Sequence, residues 1–324
     1  DGDGLLDIYT AAEFRWALTN KRSCELMNDI DLGGRKNVTW TPVADPGAVT
    51  IEGNGYTVYN MNCSAGQYGG LIASTARGAL GAYSFKMQNI RFRYCYTRAT
   101  GQYSGTVIGF MGNGIMKQVS VEDSVVWGAA HTGGIMSAWS GTGDPALNSF
   151  YVEMDQCHVR NITVYGSSCV GSFVGPASGT KVTNCYSIDS YDISTATHSG
   201  GFISCPGYCR VENCFTNVRL YCNADGGVFA GICHLSNSFK NCFSAGVVEG
   251  TSNVGGFFGR SENSTDTFVN CYSTSMVGMQ SSASGMGGFY GGDSNNTARG
   301  TNCYCAGEVG TTQTVAPHSS IGGF

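Results

Sequence analysis

Cysteine, which can form a disulfide or bind a metal, occurs fifteen times in this 324-residue chain. Such a number is typical of proteins that form disulfides in an oxidising compartment, but cysteine also serves as a small buried hydrophobic residue. Five copies follow an asparagine and precede an aromatic residue. If they stack at one strand position, vertical neighbours do not meet disulfide geometry, so we expect a buried thiol ladder. The predicted ladder residues are Asn184, Cys185, Tyr186, Asn213, Cys214, Phe215, Asn241, Cys242, Phe243, Asn270, Cys271, Tyr272, Asn302, Cys303 and Tyr304.

The candidate disulfide cysteines lie outside these triplets, at Cys205, Cys209, Cys222 and Cys233. Cys205 and Cys209 flank a turn at 206–208. Two disulfide pairings are open: a bond between these two cysteines, or a bond from this loop to Cys233 one coil further on. A four-cysteine metal site is the lesser alternative, because no second Cys-x₂-Cys follows at the spacing of zinc ligands.

Residues that could catalyse a hydrolase or lyase reaction are not grouped in the sequence. Enzymes that cleave acidic polysaccharides need clustered carboxylates, whereas the acidic residues after position 166 do not recur at one strand position. The His-Glu-x-x-His motif of zinc peptidases is absent. The five histidines are scattered, and each is interpreted as a surface or ladder residue. They are His131, His158, His198, His234 and His318. We therefore predict no catalytic residue.

The acidic segment at the start of the chain offers the one candidate cofactor, a calcium ion. Asp1, Asp3 and Asp7 alternate with glycines in the way that oxygen ligands for a hard cation do. The segment has too few ligands for a full site, so a polar terminus without a metal is the preferred interpretation.

Composition excludes several classes of protein. The net charge is −5, which disfavours nucleic-acid binding because no basic stripe is present. Hydrophobic residues make up 42% of the chain, which argues against disorder, and no apolar run approaches the roughly 20 residues of a membrane span. Since the chain begins with polar residues, we expect a mature secreted product whose targeting segment is missing. Candidate N-glycosylation sequons stand at Asn37, Asn62, Asn161, Asn263 and Asn295.

A degenerate repeat of about 30 residues organises the chain. Segments such as Gly200-Gly201-Phe202 and Gly255-Gly256-Phe257 recur, with the second glycine or its equivalent spaced by 26 to 37 residues. These positions are 70, 105, 134, 171, 201, 227, 256, 288 and 323. The Asn-Cys-aromatic triplets recur at steps of 28 to 32 residues within the same period, and a third apolar patch follows. Three short apolar patches between Gly, Ser and Asn corners predict three short strands per repeat.

Stacking of these repeats predicts an all-β fold, a right-handed parallel β-helix solenoid of about nine coils. A short strand of small residues cannot bury itself alone, whereas a stack pairs each strand with its equivalent in the next coil. Asparagines can then hydrogen-bond along the stack and aromatic rings can pack on one another. An α-helical solenoid is disfavoured by the glycine, β-branched and aromatic content. Nine coils at about 4.8 Å each would give a rod on the order of 40–45 Å long.

An N-terminal cap is predicted for the first coil. Thr10 and Glu13 fit a capping box for a short helix, with Phe14, Trp16 and Leu18 as its apolar surface. Covering the first coil would remove unpaired strand edges. We assign residues 1–62 to this cap and residues 63–324 to the β-helix repeats, the two being continuous as one domain.

The entry segment and the repeat resemble those of GLUG-repeat proteins. The resemblance lies in Leu26-Met27-Asn28-Asp29-Ile30-Asp31-Leu32, in Trp40-Thr41-Pro42-Val43, and in 53–58, together with the Gly-Gly-Phe and Asn-Cys-Tyr pairs. It covers nearly the whole chain, although residues 75–165 are poorly periodic. Such repeats occur in bacterial surface proteins, including the non-catalytic part of some IgA-cleaving metallopeptidases. The resemblance implies a β-helix and a surface setting but no reaction.

The sequence therefore predicts an extracellular structural or adhesive protein that is not an enzyme. A surface stalk or a filament subunit is the first hypothesis, with surface glycans as possible partners. The chain ends at Ile321-Gly322-Gly323-Phe324, the start of a further coil, so we expect end-to-end self-association. The alternative is a polysaccharide-binding or polysaccharide-cleaving β-helix protein, which should have an exposed groove lined by carboxylates and aromatic residues.

Overall fold

The computed structural model describes residues 4–139, 149–195, 197–262, 265–293, 298–311 and 321–322. These residues form a β-solenoid of about nine turns, with strand as the dominant secondary structure and parallel pairing throughout its three sheets. The predicted fold class is therefore confirmed. Strands pair with their equivalents in the next coil, as Val211 does with Phe239 and Phe239 with Phe268.

The coils build five ladders of strands, which we number in chain order, and the first coils contribute strands to only some of them. The first ladder contains Leu6–Ile8, Cys24–Leu26, Thr50–Glu52, Lys86–Arg93, Gly114–Glu122, Val152–Asp155, Thr180–Thr183, Arg210–Glu212, Ser238–Lys240, Thr267–Val269 and Arg299–Thr301. The second contains Ile30–Asp31, Thr57–Tyr59, His158–Arg160, Tyr186–Ile188, Phe215–Thr216, Phe243–Ser244, Tyr272–Ser273 and Tyr304–Cys305, and Lys86–Arg93 and Gly114–Glu122 extend into it.

The other three ladders complete the coil. The third contains Asn62–Ala65, Tyr96–Ala99, Val125–Gly128, Thr163–Gly166, Tyr191–Ser194, Arg219–Tyr221, Val247–Gly255, Met276–Gly287 and Val309–Thr311. The fourth contains Tyr68–Gly69, Tyr103–Ser104, His131–Gly133, Cys169–Gly171, His198–Gly200, Ala224–Gly227 and Ile321–Gly322, joined by the ends of Val247–Gly255 and Met276–Gly287. The fifth contains Ile72–Ser74, Ile108–Phe110, Met136–Trp139, Val174–Ser178, Pro206–Gly207, Ala230–His234, Phe258–Glu262 and Tyr290–Asp293.

Corner residues explain one of the two strand segments that a coil has beyond the three that the sequence predicts. The asparagines of the Asn-Cys-aromatic triplets adopt left-handed backbone conformations, with φ between 53° and 56° at Asn184, Asn213, Asn241, Asn270 and Asn302. Asparagine tolerates this region better than most residues. The turn that it makes divides one face of the solenoid into the first and second ladders, so the triplet forms a corner and the start of a strand.

The interior is filled by side chains that point inward from successive coils. A column of five phenylalanines stacks along the axis, with ring centroids 4.5 to 4.8 Å apart, at Phe173, Phe202, Phe229, Phe257 and Phe289. Their register corrects the repeat alignment in more than one copy. Gly171 pairs with the first glycines Gly133 and Gly200, not with Gly134 and Gly201. Gly227, not Gly226, pairs with Gly200, so that Phe229 rather than Val228 is the equivalent of Phe202. Matching the Gly-Gly pair at 226–227 to Gly200-Gly201 therefore misaligns that copy of the repeat by one residue.

The N-terminal helix, Ala11–Thr19, begins with the predicted capping box. The Thr10 hydroxyl accepts a hydrogen bond from the backbone N–H of Glu13, and the Glu13 carboxylate accepts one from the backbone N–H of Thr10. Phe14 and Leu18 are buried in the main core, but Trp16 is 55% exposed, so its predicted place in the apolar surface is wrong. A 3₁₀ helix follows at Gly34–Lys36. No helix in the described ranges is long and apolar enough to cross a membrane.

Asp192 is a fully buried carboxylic acid in the third ladder. Its Oδ2 accepts a hydrogen bond from the backbone N–H of Ser172 at 3.0 Å, while its Oδ1 has no hydrogen-bond partner in the described part of the chain. Burial raises the pKa of Asp192 well above its ordinary value. The folded state therefore holds a proton that the unfolded chain releases in mildly acidic solution.

Asp192→Asn is expected to raise the free energy of unfolding relative to wild type, by an amount that grows with pH. Below the unfolded pKa of about 4 both proteins carry a neutral side chain. Above it the folded protein binds more protons than the unfolded chain, so wild-type stability falls by up to about 1.4 kcal/mol per pH unit. Urea unfolding between pH 4.5 and 8 measures the difference. The exposed Asp189→Asn is the control, and an Asp192→Asn effect as flat with pH as the control's would contradict the prediction.

Candidate functional site

The predicted ladder asparagines lie one above another on the outside of the solenoid. From Asn213 onward, each side-chain amide donates a hydrogen bond to the side-chain oxygen of the asparagine one coil before it. The first of these bonds, from Asn213 to Asn184, and the last, from Asn302 to Asn270, both measure 3.2 Å. The intervening bonds, at Asn241 and Asn270, measure 3.0 Å. The column therefore holds the left-handed corners in register on the surface.

The aromatic residues of the triplets form a second outer column beside the asparagines. The rings of Tyr186, Phe215, Phe243, Tyr272 and Tyr304 follow one another with centroids 4.7 to 6.3 Å apart. A shallow groove of about 330 Å³ lies along both columns. It is lined by Asn213, Cys214, Phe215, Asn241, Phe243, Asn270 and Tyr272. The groove has aromatic and amide groups but no carboxylate in its lining.

The triplet cysteines point inward at the same corners. The Sγ of Cys185 donates to the carbonyl oxygen of Thr183 at 3.1 Å, and the Sγ of Cys214 donates to that of Glu212 at 3.2 Å. The backbone N–H of Cys185 donates to the Cys214 sulfur at 3.4 Å. Burial raises the pKa of Cys185 well above that of a free thiol. Each thiol thus serves as a weak hydrogen-bond donor inside the corner.

The candidate disulfide cysteines are all buried but occupy separate places. None of the fifteen cysteines, all within the described ranges, forms a disulfide. The Cys209 sulfur donates to the carbonyl oxygens of Ala177 and Gly207, and the Cys222 sulfur lies 3.7 Å from the Glu249 carbonyl oxygen. Cys205 instead lies against Cys169, a residue that sequence reasoning left unassigned.

Three of the predicted sequons fall in the described ranges. Asn37 and Asn161 are exposed and Asn62 is half-buried. The Asn161 side chain donates to Asp123 Oδ1 at 2.8 Å. The sequons at Asn263 and Asn295 lie outside the described residues, as do Asp1 and Asp3 of the candidate calcium segment. Asp7 is exposed on the first strand.

A cluster of cysteine and histidine side chains is the one grouping of at least three metal-ligand residues found among the described residues. The ligand atoms of Cys169, His198 and Cys205 all lie within 4.8 Å of one another. The Cys205 Sγ donates to the Cys169 Sγ at 2.9 Å. His131 lines the cavity beside Cys169 and Cys205. We call Cys169, Cys205, His131 and His198 the Cys–His cluster.

The fourth ladder positions the Cys–His cluster. Cys169 pairs in register with His198 in the next coil, and Thr132, beside His131, pairs with Val170. The parallel ladder therefore stacks one residue from each of three successive coils at a single position, because equivalent side chains in a parallel sheet share a face. Cys205 reaches the same point from the fifth ladder, where it lies between Ile203 and Pro206.

Asp225 continues this column beyond His198. Its Oδ2 lies 3.4 Å from His198 Nε2, and its Oδ1 accepts from the Asn253 amide at 2.7 Å and lies 3.0 Å from Arg260 Nε. The Asp225 side chain is only 6% exposed. The carboxylate is thus fixed from two sides and in turn orients the imidazole.

Neighbouring groups fix the protonation of the Cys–His cluster. The hydrogen bond from Cys205 lowers the pKa of Cys169, and the imidazoles of His131 and His198 lower it further. Burial raises the pKa of Cys205 well above its ordinary value. The hydrogen bond with Asp225, followed by that with Cys169, raises the pKa of His198 to about 9. These shifts favour a thiolate at Cys169, a thiol at Cys205 and a protonated imidazole at His198.

This donor set can hold a metal ion or form a disulfide. Thiolate sulfur and imidazole nitrogen are the ligands that zinc prefers. The two sulfurs, 2.9 Å apart, also need to approach by only about 0.9 Å to reach the disulfide bond length. Nucleophilic catalysis needs room for a substrate. The adjoining cavity measures about 210 Å³, below the roughly 300 Å³ at which ligand pockets begin. Its lining is Tyr103, His131, Cys169, Pro176, Cys205 and His234.

Aligning the repeats on the correct glycine would have revealed this column. The residue two positions before the first glycine of the repeat is Tyr103, His131, Cys169, His198, Asp225 and Asn253 in successive coils. Four of the six are ligand-type side chains. The histidines are scattered along the sequence, yet three of them lie around one cavity and its neighbouring cysteines.

Solved structures of low sequence identity match the chain, among them two whose descriptions name a protease. No family model and no curated protein matches the chain. One structure is described as that of a "putative immunoglobulin A1 protease from Bacteroides ovatus". It is 17% identical and has a TM-score of 0.49, over 100% of this chain and 84% of that one. The other, described as "IgA1 Protease", is 11% identical with a TM-score of 0.41, over 94% of this chain and 21% of that one. Neither assigns a function, and the GLUG resemblance stays a prediction.

Proposed function

We propose that this protein is an extracellular structural β-solenoid that serves as a surface stalk or filament subunit and catalyses no reaction. The observation that supports the proposal most is the repetition of the outer surface. Asparagine and aromatic columns present the same groups coil after coil. A catalytic centre requires one unique arrangement of reactive groups, whereas a structural or adhesive surface gains from repetition.

The interior suits a mechanical role. In-register parallel pairing joins every coil to the next, and the phenylalanine column packs along the axis without interruption from Phe173 to Phe289. Such a solenoid resists bending because each coil is bonded over its whole length to its neighbours. In the same proposal, rods associate end to end, since a coil from another copy can continue a ladder as well as a coil of the same chain can.

A polysaccharide-binding role is the second candidate, and the groove along the outer columns favours it. Aromatic rings and side-chain amides are the groups that pack on sugar rings and hydrogen-bond to their hydroxyls. The absence of a carboxylate from the groove lining argues for binding rather than cleavage, because glycoside hydrolysis uses a pair of carboxylic acids.

Electron microscopy and light scattering across a concentration range test the structural proposal, together with an assay for released sugar ends on a panel of polysaccharides. We expect rods, growth in length with concentration and no product. Product released by the wild-type protein would overturn the proposal. Retention on an immobilised polysaccharide that Phe215→Ala/Tyr272→Ala loses, and the similarly exposed Tyr191→Ala keeps, would establish the binding candidate.

A further inference from the structure

We propose that the Cys–His cluster is a binding site for a zinc-class metal ion, with Cys169, Cys205, His198 and His131 as its four ligands. The ion would join three successive coils at one point of the fourth ladder. The site would be structural, since the four protein ligands complete a tetrahedral shell and leave no open position.

The geometry of three of the four side chains fits this donor set, and His131 lies on the wall of the same cavity. Ligand atoms around tetrahedral zinc lie about 3.3–3.8 Å apart, as bond lengths of about 2.3 Å to sulfur and 2.0–2.1 Å to nitrogen require. The ligand atoms of Cys169, His198 and Cys205 already lie within 4.8 Å of one another. Their sulfurs, at 2.9 Å, would separate by slightly less than 1 Å as the ion enters. Only side-chain rotations are needed.

His131 supplies the fourth ligand and an independent observation. Its side chain lines the same cavity as Cys169 and Cys205, and its Nδ1 is buried without a hydrogen-bond partner in the described part of the chain. A buried ring nitrogen without a partner costs free energy. Coordination of the ion by an imidazole nitrogen would let the ring reorient and relieve that cost.

Asp225 fits the role of a positioning residue for this site. A histidine that binds a metal commonly donates its other ring N–H to a carboxylate, which fixes the ring and raises its basicity. Asp225 Oδ2 lies 3.4 Å from His198 Nε2, and the Asn253 amide and Arg260 hold that carboxylate in place. His198 would therefore coordinate through Nδ1.

A disulfide between Cys169 and Cys205 is the competing use of the same sulfurs. It would form by loss of two electrons and two protons to an external oxidant, and it would leave the converging imidazoles without a role. The close approach of the His198 imidazole to both sulfurs, with His131 on the wall of the same cavity, is what favours the metal.

The test uses the full chain, purified with a non-thiol reductant and no chelator, then incubated with Zn²⁺ or Co²⁺ and desalted. We expect about one bound ion per chain by elemental mass spectrometry. The cobalt form should show thiolate charge-transfer bands and the intense visible bands of a tetrahedral site. Wild-type protein that retains no ion, or peptide mapping that finds the Cys169–Cys205 disulfide in metal-treated protein, would overturn the proposal.

Variants separate the site from adventitious binding. Cys205→Ala should lose the bound ion, while Cys242→Ala, which removes an equally buried cysteine from the thiol ladder, should keep it. His198→Gln changes a side chain that is 31% exposed, so this variant is expected to fold. Its cobalt form should lose the intense visible bands of a tetrahedral site. Asp225→Asn should weaken affinity about 10- to 100-fold. Equal retention by wild type, Cys205→Ala and His198→Gln would show that the ion binds elsewhere.

Discussion

Phe229→Ala is expected to lower the free energy of unfolding by about 3–5 kcal/mol, the cost of removing a fully buried phenylalanine side chain. Phe229 is completely buried in the middle of the phenylalanine column. Its ring stacks on Phe202 at 4.8 Å and on Phe257 at 4.6 Å, and it meets the edge of Phe239 at 6.0 Å. The cavity cannot close, because ladder hydrogen bonds fix the distance between coils.

Chemical denaturation of the purified variant measures this effect. Phe215→Ala is the matched control, since that residue stacks in the outer column but is 38% exposed. We expect the control to lose less than about 1 kcal/mol. Phe229→Leu should lose less than Phe229→Ala, because it retains most of the buried volume. Similar losses for Phe229→Ala and Phe215→Ala would contradict the expectation that a ring of the buried column contributes more to stability than a ring of the outer column.

Gly227→Ala is expected to destabilise the fold by about 3 kcal/mol or more, at the upper end of the cost of overpacking. A Cβ atom at Gly227 would overlap the carbonyl oxygen of Ala230 and lie 2.5 Å from the Phe258 Cα and 2.7 Å from the Gly259 nitrogen. These are backbone atoms, two of them in the next coil. They cannot rotate away as the end of a side chain can, so the coils would have to separate.

Gly66→Ala is the control for this substitution. A Cβ atom at Gly66 would meet nothing within 4 Å, so we expect a change within about 0.5 kcal/mol. Thermal or urea unfolding of both variants compares the two sites. If Gly227→Ala unfolds at the same denaturant concentration as Gly66→Ala, the close approach of the coils at this corner is not a constraint on the fold.

The sequence by itself determined the solenoid, the approximate number of coils and the start of the N-terminal helix. The reason is that each of these features depends on local or strictly recurring residues. The Asn-Cys-aromatic triplets recur at nearly constant steps, so their positions must coincide when the coils stack. The capping box depends on Thr10 and Glu13, which are three residues apart. Neither inference required knowledge of a distant contact.

Only the tertiary structure decided which coils bring reactive side chains together. His131 and Cys169 are 38 residues apart, and Cys169 and His198 are 29 apart, so no short spacing motif marks them as ligands. Coil length varies between repeats, and a shift of one residue, as at Gly227, moves a side chain to the opposite face of its strand. Vertical neighbours in a parallel solenoid are therefore fixed by the pairing of whole coils. Cys205 meets Cys169 only because the next coil returns to the same point along the fifth ladder.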